Sequence, residues 1–445
     1  MRSDTNTRKL RRPPKAVYFP DWVEVARLDT LFVFIAFFCL FVAITAVTKV
    51  RTIGWAVWLW FFSGWVTGEL AAWCLLVQGA FVALWVLFAG TDGAGFGWGL
   101  SAFLATWALL LLLLREGFDA GHVLQRALRT ALGPNFIDVI PAQRRARLTQ
   151  QIQSSEWMRP FRFKRPAVRY VRDIAYGDAG KRNLLDLYIP ATGGENLPVL
   201  LHVHGGAWMV GNKTDQGQPL LHRMVEAGWV GVSINYRLAP RDAFPAQIHD
   251  VKKALAWVKA HIAEYGGDPE FIVVTGGSAG GHLSLLTGLS GNHAPWQEGF
   301  EAVNTAVQGV LALYPAVDFT NRHGIRQQNR MDGFIAKRII QRSREEAPEL
   351  FEDGSPIGWI HRDGVAESAP PICVVQGTHD SLVWVEEARQ FVAELSPLAR
   401  HPVTYAELPL AQHAFEIFHS PRTSHFLNAA AMWLEWVWAR HREQN

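Results

Sequence analysis

The chain has 445 residues, 49% of them hydrophobic and 19% charged, with a mean hydropathy of +0.05; a soluble protein usually carries about a quarter charged residues. High apolar content without a heptad or Gly-X-Y period excludes disorder, coiled coil and collagen. The formal charge of +3 implies no general affinity for nucleic acid, and it hides a split: residues 1–29 sum to +3, 30–114 to zero, 115–172 to +8 and 173–445 to −8.

Charge is scarcest between Thr30 and Leu114, where Lys49, Arg51, Glu69 and Asp92 are the four charged residues among 85. A helix crossing a bilayer needs about 20 apolar residues. Leu31–Val47 is the first candidate, and Phe96–Leu114, which closes on six leucines, is the last. Ile53–Gly90 is too long for one span and suits two joined by a turn near Gly68–Ala71. The expectation is a bundle of about four spans, with three as the alternative if Glu69 lies inside a long helix; Glu69 is expected at a helix end. Nearly 30 residues precede the first apolar run, so a cleaved signal peptide is not expected. Seven basic residues precede that run and a dense set follows Leu114, which puts both ends of a four-span bundle in the cytoplasm. The basic stretch Arg115–Arg172 reads either as attracted to anionic headgroups or as a solvated linker. Cys39, Cys74 and Cys373 read as small buried hydrophobes, and no disulfide framework or metal knuckle can be drawn.

From about Ala167 short β-branched runs alternate with helical stretches, which predicts a largely parallel sheet covered on both faces. The predicted strands are 183–189, 198–203, 229–236, 271–275, 307–314, 371–376 and 402–408, with helices over 244–265 and 424–440. The expected organisation is a basic segment (1–29), a transmembrane helical domain (30–114), a basic juxtamembrane linker or cap (115–166) and an α/β domain (167–445).

Gly276-Gly277-Ser278-Ala279-Gly280 sits between the strand FIVVT and the apolar stretch HLSLLTGL. A serine between small residues at a strand-to-helix turn can take the strained elbow that exposes its Oγ. His204-Gly205-Gly206-Ala207-Trp208 follows the strand PVLLHV, and Gly206, Ala207 and Ala279 are candidate amide donors to an oxyanion. An acid and a base should follow the serine, each after a strand. Asp380 in GTHDSLV and His413 in QHAF meet that order.

On these residues the chain resembles the hormone-sensitive-lipase branch of the α/β-hydrolase carboxylesterases, which includes bacterial esterases and arylacetamide deacetylase. The resemblance runs from about Arg169 to Arg440 and rests on HGGAW (204–208), NYRLAP (235–240), FPAQIHD (244–250), GGDP (266–269), GGSAGG (276–281), YP (314–315), HDSLV (379–383) and HAF (413–415). It implies an α/β-hydrolase fold and cofactor-free, metal-free hydrolysis of carboxylic esters through an acyl-enzyme on Ser278. It also implies a cap insertion at about 318–360, where Phe334, Ile335, Ile339 and Ile340 are expected in ordinary cap packing rather than against an acyl chain. Two features depart from the family: Ala207 stands where its motif usually ends in a third glycine, and the multi-span anchor is unusual. The anchor shifts the expected substrate toward lipids, with the bilayer as partner. Transfer of the acyl group to an alcohol, or amide hydrolysis, would use the same three residues. A membrane scaffold carrying a degenerate hydrolase domain is the remaining alternative.

Overall fold

The computed structural model describes residues 21–49, 55–148, 154–161, 165–326 and 330–444. The expected basic segment up to residue 20, Arg51, Arg162 and Lys164 lie outside them. Four apolar helices come first: α1 (Asp21–Val47), α2 (Trp55–Glu69), α3 (Ala71–Phe88) and α4 (Phe96–Leu132). At 1.5 Å per residue, the 15 residues of α2 reach about 22 Å, short of the roughly 30 Å hydrocarbon core. Among the described residues three helices, in α1, α3 and α4, are long and apolar enough to cross a membrane, where four spans were expected.

Contacts fix the helix directions. Phe32 of α1 packs on Trp85 of α3 and on Phe96 and Phe103 of α4 at one end of the bundle. Ala46 packs with Ala71, Leu110 and Leu113 at the other. Thus α1 and α4 run parallel and α3 antiparallel. The start of α1 and the domain that follows α4 therefore lie at opposite ends of the bundle, which corrects the expectation of both at one end.

Beyond Leu114, α4 continues without a break. Gly117, Ala120, Leu124 and Leu128 are buried at helical spacing, and the last three pack into the core beneath the sheet. Residues 115–132, expected as linker or cap, thus form a helix on the sheet, because a second apolar stripe follows the first.

The sheet has eight strands: β1 (Val168–Ala175), β2 (Leu184–Pro190), β3 (Leu197–Val203), β4 (Val230–Ile234), β5 (Gly267–Gly277), β6 (Gly309–Leu313), β7 (Ile372–Gly377) and β8 (Val403–Leu408), in the order β1-β2-β4-β3-β5-β6-β7-β8. Pairs β1–β2 and β2–β4 are antiparallel and the others parallel. The seven predicted strands are present. β1 was not predicted: it is an edge strand carrying Arg169, Arg172 and Asp173, broken by an irregularity between Val171 and Ile174, and an edge that discourages pairing lacks the apolar run of a central strand.

Helices α5 (Gln218–Glu226), α6 (Ala246–His261), α7 (Ala279–Ser290), α8 (Val385–Leu395) and α9 (Pro421–Gln444) cover the sheet. One core holds α6, α7 and α8, and the other holds α4, α5 and α9. Short helical turns at Arg330–Phe334, Ile335–Ile340, Pro348–Asp353 and Pro356–Ile360 fill the expected cap region between β6 and β7. Ile335, Ile339 and Ile340 are buried in the same core as Phe244 and Phe319.

Glu69 ends α2, as expected of a charge at a helix end, and it is buried. It pairs with Arg422 of α9, itself fully buried, and accepts a 2.6 Å hydrogen bond from Ser420 Oγ. Removing one partner of a buried pair strands the other charge, at a cost of about 3–5 kcal/mol. Glu69→Gln and Arg422→Met are each expected to lower the thermal unfolding temperature of the detergent-solubilised protein sharply. The double variant is expected to recover much of that loss, which the same unfolding scan reads.

Candidate active site

β5 ends at Gly277 and α7 begins at Ala279, so Ser278 forms the corner, with φ 57° and ψ −121°. A non-glycine residue is strained in this region and stays there only when its surroundings hold it. They do so closely: a Cβ on Gly276 or Gly280 would collide with the Val203 carbonyl oxygen. Ser278 is partly exposed while its neighbours are buried, so the elbow presents its hydroxyl.

The loop after β3 lies against this corner. A Cβ on Gly205 would sit 3.3 Å from Ser278 Cβ. Gly206, Ala207 and Trp208 all have positive φ, at 114°, 51° and 58°. Among the described residues no hydrogen bond takes the backbone N–H of Gly206, Ala207 or Ala279, which leaves all three donors open. The loop is held from behind. Gly205 N–H donates to Gln216 Oε1 (2.7 Å), and Tyr236 OH donates to the His204 carbonyl (2.9 Å). Trp208 Nε1–H donates to His282 Nδ1 (3.1 Å), so the other nitrogen of His282 carries its proton toward Gly354 O (2.7 Å). Burial holds His204 and His282 down at about 4; both are neutral structural imidazoles.

Asp380 and His413 meet beyond the ends of β7 and β8. His413 Nδ1 is 2.7 Å from Asp380 Oδ2, and both side chains are buried. Gln376 Nε2 also donates to Oδ2 (2.9 Å), and the N–H groups of Leu382 and Val383 donate to Oδ1 (2.9 and 2.8 Å). Gln412 Oε1 ties the two loops together by accepting from Ser381 N–H (2.7 Å) and His413 N–H (3.0 Å). Tyr314, at the end of β6, connects to the elbow: its ring lies 4.4 Å from that of His413, and its hydroxyl borders Gly277. Among the described residues no hydrogen bond joins Ser278 Oγ to the imidazole; such contacts often tighten only when substrate binds.

Several groups here were not singled out from sequence. Gln376, Gln412 and Tyr314 stand inside motifs whose other residues drew attention. Glu416 lies behind Tyr314 and accepts a hydrogen bond from its hydroxyl. Phe61 and Trp65 come from α2: Phe61 meets the His413 ring edge-on at 6.1 Å, and Trp65 Nε1–H donates to Ala414 O (2.8 Å). No local signal could have placed them there.

Burial pushes the Glu416 carboxyl up to about 7, against the opposing hydrogen bond from Tyr314. Between its ordinary value near 4.5 and about 7, the folded protein holds a proton that the unfolded chain has released. Stability contributed by this group is therefore present below that window and lost as pH rises through it. Measured against the wild type at each pH, Glu416→Gln is therefore expected to gain in unfolding temperature from pH 5 to pH 7.5, a difference in which the opposite contribution of the buried neutral histidines, such as His204 and His282, cancels.

A mostly parallel sheet with a serine elbow after β5, and an acid and a histidine after β7 and β8, defines an α/β-hydrolase. The BD-FAE family matches residues 185–395. The chain is 40% identical over 347 residues to the "Probable carboxylic ester hydrolase LipM" of Mycobacterium tuberculosis, spanning 74% of this chain and 76% of that protein. It is 38% identical to "Esterase LipQ" of the same organism over 72% of this chain and 76% of the relative. The solved structure of esterase B from Lactobacillus rhamnosis shares the fold, with a TM-score of 0.53 at 19% identity over 68% of this chain and 94% of that one. The chain belongs to the hormone-sensitive-lipase-like branch of the α/β-hydrolase carboxylesterases and is a carboxylic ester hydrolase.

Proposed function

We propose that this hydrolase is a membrane-anchored serine esterase acting on lipid or small carboxylic esters through Ser278, His413 and Asp380. The observation that carries the reading is the 2.7 Å contact between His413 and Asp380, beside a partly exposed Ser278 whose corner is flanked by three undonated amides. Ser278 Oγ attacks the ester carbonyl carbon while His413 Nε2 takes its proton. The carbonyl oxygen, now negative, is held by the N–H groups of Gly206, Ala207 and Ala279; one such donor is typically worth about 100- to 1000-fold in rate. The C–O bond to the alcohol breaks, and His413 returns the proton to it. Water then attacks the acyl-enzyme with the same base, releasing the acid and restoring Ser278. The Ala207 methyl narrows the space beside the acyl group, which bears on chain length.

The helices in α1, α3 and α4 are the anchor. The outer face of α2, with Trp58 and Phe62 about half exposed, suits the bilayer surface beside the site. The hydrolase domain is assigned to the cytoplasmic face, where the basic stretch 115–172 would be retained. One labelling experiment tests both parts. A cell-impermeant fluorophosphonate should label Ser278 in lysed cells only, and p-nitrophenyl esters of increasing chain length should be hydrolysed by the labelled fraction. Labelling of intact cells would reverse the orientation, and folded protein that never labels would remove the serine mechanism.

A further inference from the structure

Too short to cross the hydrocarbon core, α2 packs along the segment that carries His413. Phe61 is buried, edge-on to the His413 ring and stacked on Trp65 at 5.5 Å. Trp65 stacks in turn on Phe418 at 4.6 Å. Its indole N–H donates to the carbonyl of Ala414, the residue directly after His413. Ala414 has φ 62°, a left-handed conformation that an alanine keeps only when its surroundings impose it. The other hydrogen bond to that carbonyl, from Ile417 N–H, is long at 3.4 Å. One turn on, Glu69 closes the far end of the same segment through Ser420 and Arg422. The segment 413–422 is thus gripped at both ends by a helix that lies some 350 residues earlier in the chain.

We propose that α2 is a working part of the catalytic centre: Trp65 is a positioning residue that holds His413 in line with Ser278 through the Ala414 carbonyl. The inference rests on the reading of Ser278 and His413 as nucleophile and base. The hydrolase fold alone leaves the His413 segment without this support, so the N-terminal helices complete the site as well as anchoring it. A base displaced by a fraction of an ångström transfers the serine proton poorly while substrate still binds, so the cost falls on kcat.

Trp65→Phe tests this, because the ring can still stack between Phe61 and Phe418 and only the N–H is lost. The full-length protein in detergent is assayed with p-nitrophenyl butyrate, and kcat is expressed per fluorophosphonate-titrated serine. A fall of about 10- to 100-fold in kcat is expected, with KM unchanged and a parallel fall in the labelling rate. Trp107→Phe is the control: it also loses an indole N–H, one that donates to Gln78 Oε1 (3.1 Å) between α4 and α3 rather than to the His413 segment, and it should hydrolyse like the wild type. A wild-type kcat per titrated site in Trp65→Phe overturns the proposal. So does a loss of activity explained wholly by fewer titratable serines, which would make Trp65 a folding contact only. If Ser278→Ala is inactive while Trp65→Phe is unimpaired, the positioning role alone is lost; an active Ser278→Ala would take the triad reading with it.

Discussion

Ser278→Ala is expected to lower kcat for ester hydrolysis by about 10⁴- to 10⁶-fold and to abolish fluorophosphonate labelling. The substitution removes one oxygen and leaves the rest of the site standing. Alanine takes the corner conformation at φ 57° with no more strain than serine, and the glycines that admit the turn are untouched. The amides of Gly206, Ala207 and Ala279 remain, so the residual rate over water and most of the substrate affinity should persist, and KM should change little. Stability should be near wild type in a thermal scan, which separates loss of the nucleophile from loss of the fold. Ser381 is the other serine near the acid; it is buried, is not at an elbow, and its own N–H is taken by Gln412 Oε1. A Ser278→Ala protein that retained substantial turnover would therefore leave the open amides of the Gly206 loop without a nucleophile to serve.

The parts of this site that were legible in the sequence are those whose chemistry is local. GGSAG between an apolar strand and an apolar helix can be read directly, because the corner needs small residues within two positions of the serine; the collisions at Gly276 and Gly280 are the physical form of that need. Asp380 and His413 were legible because each closes a strand of a sheet whose apolar runs are plain. What was not legible acts across long separations. Glu69 read as a charge at a helix end; its partner Arg422 is 353 residues away, and nothing in either neighbourhood names the other. Trp65 is one of several tryptophans in the apolar runs and nothing beside it in the chain sets it apart, yet its N–H is fixed on Ala414. Composition is likewise blind to helix length: the run around α2 is as apolar as its neighbours, but its helix has only 15 residues and packs through Phe61 and Trp65 on the His413 segment. β1 was missed because an edge strand is protected by charge rather than built from an apolar run. The helix over 115–132 reads as a linker because eight of its 18 residues are polar and mask the stripe of Ala120, Leu124 and Leu128.

The geometry around Asp380 yields the second large effect: Asp380→Asn is expected to lower kcat by about 10⁴-fold with little change in KM or unfolding temperature. All four groups around the carboxylate are donors, two amides on Oδ1 and the Gln376 and His413 side chains on Oδ2. An asparagine can satisfy the two amides only with its carbonyl oxygen at the Oδ1 position. Its NH₂ then occupies the Oδ2 position and faces two former donors. Gln376 can answer by turning its amide, since its Oε1 has no partner, although Nε2 then gives up its bond to Val383 O (3.0 Å). His413 can answer only by accepting at Nδ1, which moves its proton to Nε2. A histidine with Nε2 protonated cannot take the proton of Ser278, so the base is present, oriented and in the wrong tautomer. The loss should therefore appear equally in the fluorophosphonate labelling rate, which needs the same proton transfer, while the amount of serine that finally labels stays at wild-type level. A kcat within tenfold of wild type would mean that the tautomer of His413 is set by a group other than Asp380.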